Sequence, residues 1–456
     1  MPPREMISVD SGRTTTGMSA TVLLLVIFPL AFATRLHTIC RMKFRVSLAL
    51  ITSAVAGVLN LLAGADWPEF RGPTGQGHIL ATNLPIHWDA KSGVAWKSPI
   101  PGSGWSSPIL VRDRLYLTTA AQVEGGNDLS LRTLCLDAGT GAIVWNVEVF
   151  KESSGTRIHN KNSHASPTPL FSDGVLYVHF GHEGTAALTP DGKILWRQTS
   201  LRYSPVHGNG GSPIRVGDSL FFACDGAADP FVTALDIKTG QPIWKTPRVT
   251  PASRKFSFST ALLITNAGKA EIISPGSGAV CAYDPADGHE RWRVLYGEGY
   301  SVVPRPVFGL GLLFIGTGYD RPNVIAVEPG GNGDVTATNL RWTITKGAPN
   351  TPSMLLLGED LYLVSDGGIA SCVDARTGKV HWSERLGGDF SASLLYGEGR
   401  IYFQNENGQG FVVAAGHDFK LLATNDLGER SLASYAATDG SFFIRTEQNL
   451  FRINSQ

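Results

Sequence analysis

The sequence has few charged residues and no excess of either sign. It contains 39 Lys and Arg against 39 Asp and Glu, so the formal net charge is zero, and charged residues make up 17% of the chain. A nucleic-acid partner normally requires a concentrated basic surface, so we expect none. Low charge combined with 43% hydrophobic residues, 52 Gly and 26 Pro is typical of a large all-β globule rather than a disordered chain.

Cysteine is scarce as well, and its spacing excludes several kinds of site. No two cysteines are adjacent and no C-x-x-C pair occurs, which argues against a thiol-redox pair or a zinc knuckle. Three of the cysteines fall in predicted strands beside apolar residues, and we expect them to be buried free thiols that pack as small hydrophobic groups. The five positions are Cys40, Cys135, Cys224, Cys281 and Cys372.

Long apolar runs occur only near the start of the chain, where residues 21–33 and 46–62 each follow basic residues. The first run ends in Ala31-Phe32-Ala33, and the second is followed by Ala63-Gly64-Ala65. Each run matches an export signal. We predict translation from Met42 and cleavage after Ala65, which would make 1–65 an export region and 66–456 a periplasmic or secreted domain. No Cys follows either cleavage site, so no lipid anchor is expected. The alternative is a membrane hairpin that leaves the remainder in the cytoplasm, which the basic residues between the two runs disfavour.

The strongest feature is an internal repeat. Each full copy has Asp eight residues and Gly four residues before a Trp, and the four clearest copies are LDAGTGAIVW (136–145), LDIKTGQPIW (235–244), YDPADGHERW (283–292) and VDARTGKVHW (373–382). A shortened copy covers 188–196 and a longer one covers 327–342. A last copy, 420–428, has Ala423 where the others have Trp, and an isolated match at 93–100 carries Trp96. The steps of 40–51 residues are the size of four-stranded propeller blades.

Each repeat predicts two β-hairpins. The Asp and Gly residues suit a tight turn, after which the chain returns in a strand that carries the Trp, and we expect that Trp to lie between neighbouring blades. A second hairpin with period-two alternation precedes each copy. Residues 434–453 supply three strands without a fourth, and the isolated match at 93–100 supplies a fourth without the others. We therefore predict a single all-β domain over 66–456, an eight-bladed β-propeller of four-stranded antiparallel blades closed by an N-terminal strand.

The repeated L-D-x-x-T-G-x-x-x-W unit resembles the repeat of quinoprotein alcohol dehydrogenases. It is also similar to that of the outer-membrane assembly lipoprotein of the Bam complex, whose propeller is likewise eight-bladed. The segment DWPEFRGPTGQG (66–77) resembles the start of the PQQ-like repeat proteins found in planctomycetes and related bacteria. The resemblance implies the architecture. The dehydrogenases' adjacent-cysteine disulfide is missing here, no local motif matches their calcium ligands or carboxylate base, and the lipoprotein's acylated Cys is absent.

Candidate binding residues fall in the loops that precede the innermost strands or follow the second strands, because these loops meet at one mouth of the channel. Arg305 could clamp an anion or pair with Asp320 or Asp366 to hold blades together. His182 and neighbouring residues could suggest metal ligands, but hydrogen bonding alone explains them equally well, and we predict neither a metal site nor catalytic residues. The candidate ligand-binding residues are His164, His182, His207, Arg305, Asp320, Arg321 and Asp366.

Two functions from different classes follow from these observations. The favoured hypothesis is a monomeric, non-catalytic scaffold of the cell envelope that binds a protein, peptide or glycan at the loop face and touches a membrane only through an uncleaved N-terminal segment. The alternative is an oxidoreductase dependent on pyrroloquinoline quinone (PQQ) and Ca²⁺, acting on alcohols or sugars at the channel mouth. Hydrolysis or lysis of a polysaccharide at the same mouth ranks last, because no carboxylate pair has a spacing that the sequence fixes.

Overall fold

The computed structural model describes residues 66–153 and 158–456, and the predicted export region 1–65 lies outside the described residues. Eight antiparallel sheets each contribute four strands, counted here from the channel outward as inner, second, third and outer. This arrangement confirms the predicted eight-bladed propeller.

The strands of blades 1 to 4 follow one another along the chain. Blade 1 comprises Ile109–Val111, Arg114–Gln122, Leu129–Asp137 and Ile143–Glu152. Blade 2 comprises Leu170–Ser172, Val175–His179, Thr185–Leu188 and Ile194–Gln198. Blade 3 comprises Ile214–Val216, Ser219–Cys224, Phe231–Asp236 and Pro242–Pro247. Blade 4 comprises Leu262–Asn266, Lys269–Pro275, Ala279–Tyr283 and Glu290–Leu295.

The remaining blades complete the ring. Blade 5 comprises Val307–Gly309, Leu312–Gly316, Val324–Val327 and Leu340–Ile344. Blade 6 comprises Leu355–Leu357, Asp360–Val364, Ile369–Asp374 and Val380–Arg385. Blade 7 comprises Leu395–Gly397, Arg400–Gln404, Gln409–Ala414 and Leu421–Asp426. Blade 8 comprises Ala436–Thr438, Ser441–Arg445, Asn449–Asn454 and the N-terminal strand Val94–Pro99.

Closure of the ring takes place in blade 8. The N-terminal strand Val94–Pro99 pairs antiparallel with Asn449–Asn454, as the incomplete repeats at the two ends of the sequence predicted. The hydrophobic core is divided into clusters that lie between neighbouring blades, and the one at the closure combines residues of blades 7, 8 and 1 with Trp67 and Trp88. This pairing covers the edge of Asn449–Asn454 and one edge of Val94–Pro99, which would otherwise both be unpaired.

The repeated motif joins each blade to the next. In blade 3, Asp236 accepts hydrogen bonds from the backbone N–H and the hydroxyl of Thr239, both at 2.8 Å, which shapes the turn and lowers the pKa of the Asp. Gly240 follows with φ +71°, and the indole of Trp196 from blade 2 packs on it. The Trp196 indole N–H donates to the Ile237 carbonyl at 3.2 Å. The predicted location of the Trp between blades is therefore confirmed.

Blade 7 departs from this rule because blade 8 has no covalent turn between its third and outer strands. A Trp at position 423 would have no such turn to lie on. Instead, Trp88 of the N-terminal segment packs over Gly410, and its backbone N–H donates to Asn425 at 2.8 Å. Ala423 and Trp88 belong to the same buried cluster, so the small residue leaves space for the incoming segment.

The long repeat copy contains an insertion that covers blade 4. Gly333–Asp334 adds a two-residue strand parallel to the outer strand of that blade, and a short helix, Thr336–Asn339, follows. Trp292 is fully buried as a consequence, and its indole N–H contacts Glu271 of its own blade rather than a turn of the next one.

The N-terminal segment 66–79 closes one end of the channel. It hydrogen bonds to the middle residue of the inner strands of blades 1, 2, 5 and 7, at Leu110, Phe171, Phe308 and Tyr396. The inner edges of these strands, which would otherwise face the channel unpaired, are thereby satisfied. Within the described part of the chain, no helix has the length and apolar character needed to span a bilayer.

Candidate functional site

The open end of the channel is built on a ring of hydroxyl groups. Seven of the eight blades have Ser or Thr two residues before the inner strand. In six blades the backbone N–H at this position donates to the hydroxyl of the next blade. Six such bonds in two runs of neighbouring blades, at 2.9–3.1 Å, join Ser107, Thr168, Ser212 and Thr260 in the first run and Arg305, Ser353, Ser393 and Ser434 in the second. The eight ring positions are Ser107, Thr168, Ser212, Thr260, Arg305, Ser353, Ser393 and Ser434.

Arg305 is the single ring member without a hydroxyl, and its side chain turns away from the mouth. The guanidinium is buried and donates to the Phe70 carbonyl at 2.6 Å, to the Ala261 carbonyl at 3.0 Å and to Glu69 at 3.4 Å. The expectation of a clamp at the mouth, or of a pair with Asp320 or Asp366, does not match this placement. Arg305 instead anchors the segment that closes the far end of the channel.

A second buried arginine supports the same closure. Arg71 donates to the carbonyls of Gln76 and Met354 at 2.9 and 2.6 Å. Burial, with the nearby Arg305 charge, lowers the pKa of Arg71 to about 9. Burial also raises the pKa of Glu69, although Arg305 opposes that shift. Two arginines and one carboxylate therefore hold the N-terminal segment against the inner strands.

The ring encloses a cavity of about 300 Å³ that has Phe70 of the closing segment among its lining residues. An arc of aromatic rings in edge-to-face or tilted contact occupies one side of it, and successive ring centroids are 5.3–6.2 Å apart. Trp105 lies elsewhere on the wall, with the Arg430 guanidinium 5.3 Å from its ring centroid. The members of the arc are His159, His207, Phe256, Tyr300 and Tyr319.

The two charged residues of the lining both have partners within the protein. Lys161 forms an ion pair with Glu406 at 2.8 Å, which raises the pKa of the Lys against the opposing effect of burial. Asp366 accepts hydrogen bonds from the backbone N–H groups of Asn350 and Thr351 and from the Thr351 hydroxyl, at 2.7–3.0 Å. Burial raises the pKa of Asp366, and these hydrogen bonds oppose the shift. Both charged side chains of the lining are thus engaged within the protein.

The predicted candidates separate into three places. His207 and Asp366 line the cavity. Asp320 and Arg321 lie exposed at the rim, where Asp320 accepts a hydrogen bond from the Tyr300 hydroxyl at 3.1 Å. Arg305 lies in the channel closure described above.

His164 and His182 meet at a different site, around the buried Glu152 at the end of the outer strand of blade 1. His164 Nδ1 lies 2.5 Å from one carboxylate oxygen of Glu152, and His182 Nε2 lies 3.8 Å from the other and 3.2 Å from Glu183. None of these residues lines the cavity. His179, which the sequence places nearby, is buried against Phe222 and hydrogen bonds to Thr185.

Sequence reasoning missed the hydroxyl ring and the aromatic arc. The signal for the ring was present, because Ser or Thr begins nearly every inner hairpin two residues before the strand. The arc had no periodic signal, since its members come from loops of different lengths. These loops meet only when the blades are arranged around the channel.

PQQ, which the repeat implies, is a tricarboxylate quinone and needs cationic partners. Among the described lining residues Lys161 is the single Lys or Arg, and Glu406 already neutralises it. Asp366 is the single carboxylate there, and three hydrogen bonds already engage its two oxygens, which leaves little capacity to hold Ca²⁺. The four described cysteines are free and buried. The residues present therefore do not fit this cofactor.

The geometry defines a class: an eight-bladed propeller with one end of its channel closed and a hydroxyl-ringed cavity at the other. The family model described as outer membrane protein assembly factor BamB matches overlapping segments 88–259, 130–368 and 276–440. The chain belongs to this family, which confirms the resemblance identified from the repeat.

Individual proteins resemble this chain either over a shorter segment or at low sequence identity. Quinohemoprotein alcohol dehydrogenase ADH IIB of Pseudomonas putida is 31% identical over 149 residues, which are 30% of this chain and 21% of that enzyme. The chain thus matches about a fifth of the length of this curated relative. The computationally designed Ika8 protein has a TM-score of 0.54 at 12% identity, covering 78% of this chain and 98% of that one. BamB of Moraxella catarrhalis has a TM-score of 0.47 at 15% identity, covering 67% and 82%.

Proposed function

We propose that this protein is a non-catalytic binding protein of the cell envelope, and that its ligand, a protein, peptide or glycan, enters the channel mouth. The observation that carries the proposal is that both charged side chains of the cavity lining already have partners within the protein. Lys161 is paired with Glu406 and Asp366 is held by three hydrogen bonds, so neither is poised to exchange protons with a substrate. A concave cavity with an aromatic wall and a few convergent polar groups instead favours recognition.

The proposal includes export. The residues that follow the predicted cleavage position belong to the propeller, because Asp66 accepts the backbone N–H of Arg112 at 2.7 Å and Trp67 is buried. Cleavage after Ala65 would therefore release a chain whose first residues are already part of the fold. Fractionation of cells that express the full sequence, followed by N-terminal sequencing, should find a mature chain that begins at Asp66 in the periplasm or medium. A chain retained in the cytoplasm with residues 1–65 intact would contradict export.

Site-specific photo-crosslinking tests the proposed binding site. A photoreactive phenylalanine analogue placed at Tyr319, which is half exposed at the mouth, should crosslink to a defined envelope component. The matched control is the same analogue at Leu421, which is similarly exposed but lies on an outer strand. Equal crosslinking at both positions, or none at Tyr319, would contradict binding at the mouth.

A second assay addresses catalysis. The purified protein, titrated with PQQ in the presence of Ca²⁺ and then supplied with alcohols and sugars, should neither bind the quinone tightly nor reduce a dye. Tight stoichiometric binding with dye reduction would replace this proposal with the oxidoreductase alternative.

A further inference from the structure

The hydroxyl ring retains hydrogen-bonding capacity that the protein does not use. Thr168, Ser212, Thr260 and Ser434 each accept one backbone N–H, and all four are at most 6% exposed. A hydroxyl also carries one proton to donate and a second lone pair. Among the described residues, none of these four hydroxyls donates a hydrogen bond to another protein group. The ring therefore presents several donors and acceptors to whatever occupies the cavity.

The backbone of the ring is not available in the same way. The N–H groups that precede the inner strands of blades 1, 2, 3, 5, 6 and 7 are already bonded to hydroxyls of the next blade. An extended peptide that binds by adding a strand needs a row of free backbone groups. The mouth is therefore poorly suited to peptide addition and better suited to a ligand that brings many hydroxyls of its own.

The aromatic arc supplies the other half of a recognition surface. Phe256 lies at its centre, 5.3 Å from His207 and 5.4 Å from Tyr300 between ring centroids. Tyr319 extends the arc to the rim. Aromatic rings offer apolar area at low conformational cost, and the C–H faces of a pyranose ring can pack on them. A polar ring beside an aromatic wall matches a ligand with hydroxyl edges and apolar faces.

The charged side chains of the cavity lining limit the chemical class of the ligand further. Lys161 is already paired with Glu406, and three hydrogen bonds already engage the oxygens of Asp366, so an ionic ligand would be desolvated without a free partner of opposite charge. A cavity of about 300 Å³ lies at the small end of the range for small-molecule sites, roughly 300–1,000 Å³. We infer that the channel mouth is a binding subsite for a neutral saccharide, with the ring bonded to sugar hydroxyls and the arc stacked on sugar C–H faces.

This inference rests on the proposed function and is tested separately from it. The full mature protein is applied to an array of neutral and acidic mono- to tetrasaccharides, and hits are titrated calorimetrically. We expect one-to-one binding of neutral glycans and weaker or no binding of their uronate or sialylated analogues. Array-wide absence of binding overturns the saccharide assignment. If crosslinking at Tyr319 still identifies a partner in that case, the proposed function stands, and if it does not, both fail.

Two pairs of variants place the glycan in the cavity. Thr168→Val removes a ring hydroxyl and Thr168→Ser keeps one, so affinity should fall roughly tenfold in the first and stay within about twofold in the second. Tyr319→Ala removes the outermost ring of the arc and Tyr319→Phe keeps it, and only the first should weaken binding by a similar factor. Circular dichroism and thermal midpoints verify that each variant folds. Unchanged affinity in folded Thr168→Val and Tyr319→Ala would place the glycan elsewhere and overturn the inference.

Discussion

The contact between one blade's Trp and the next blade's turn glycine makes a quantitative prediction at Gly240. A Cβ at this position would lie 2.5 Å from Cε3 and 2.7 Å from Cδ2 of Trp196, closer than carbon atoms can approach. Gly240→Ala should therefore cost about 1–2 kcal/mol for the left-handed backbone. Displacement of the indole should add about 1–3 kcal/mol. The expected loss in the free energy of unfolding is about 2–5 kcal/mol.

The same chain offers a matched control at Gly217, in the turn between the inner and second strands of blade 3. Gly217 also has a positive φ, +59°, but a Cβ added there would meet no atom within 4 Å. Gly217→Ala should therefore cost only the backbone contribution of about 1–2 kcal/mol. Arg112 and Leu310 adopt positive φ in the equivalent turns of blades 1 and 5, which indicates that a side chain is tolerated there.

Equilibrium unfolding in urea, followed by far-ultraviolet circular dichroism, measures the difference between the two variants. Repeating the substitutions in a Trp196→Ala background separates the causes, because Gly240→Ala should then cost no more than Gly217→Ala. Equal destabilisation by both alanines in the native background would refute the Trp–Gly contact as the bond between blades. A loss of stability on Gly240→Ala that is unchanged in the Trp196→Ala background would refute this contact as well.

Three further experiments test the closure of the channel by the N-terminal segment, the burial of His179 and the burial of the cysteines. Arg305→Met removes the donor to the Phe70 and Ala261 carbonyls, so it should destabilise the protein by about 2–4 kcal/mol. It should also speed amide exchange in residues 67–79. Unaltered exchange would contradict the anchoring role of Arg305. Burial lowers the pKa of His179 from 6.5 to about 3, so the unfolded chain alone binds this proton as pH falls below 6.5. Protonation of His179 in the unfolded chain should therefore lower the free energy of unfolding by up to about 1.4 kcal/mol per pH unit, down to about pH 3. His179→Gln should flatten the fall in urea midpoint between pH 7 and 5. An unchanged slope would count against the assignment. The four described cysteines are buried, and burial raises the pKa of Cys135, Cys281 and Cys372 to about 12, so mature protein should react with Ellman's reagent only after unfolding; rapid native labelling would disprove their inert packing.

Local repetition made the architecture readable from the sequence. The Asp, Thr, Gly and Trp of LDIKTGQPIW act within ten residues or one blade step, so their spacing encodes the turn, the returning strand and the blade length. Closure followed from counting strands at the two ends, and the pairing of Val94–Pro99 with Asn449–Asn454 confirms it. Each of these features depends on periodicity along the chain, which a single sequence displays directly.

The candidate site depended on contacts that no periodicity records. The loop position of Arg305 predicted a place at the mouth, yet its partners Glu69 and Phe70 lie more than 230 residues away, on a segment that crosses the closed end of the channel. His164 and His182 meet on Glu152 rather than in the cavity. Sequence determined which residues begin each blade, and tertiary structure decided which of their side chains face the channel, because that choice follows from how eight blades and one N-terminal segment share a single central space.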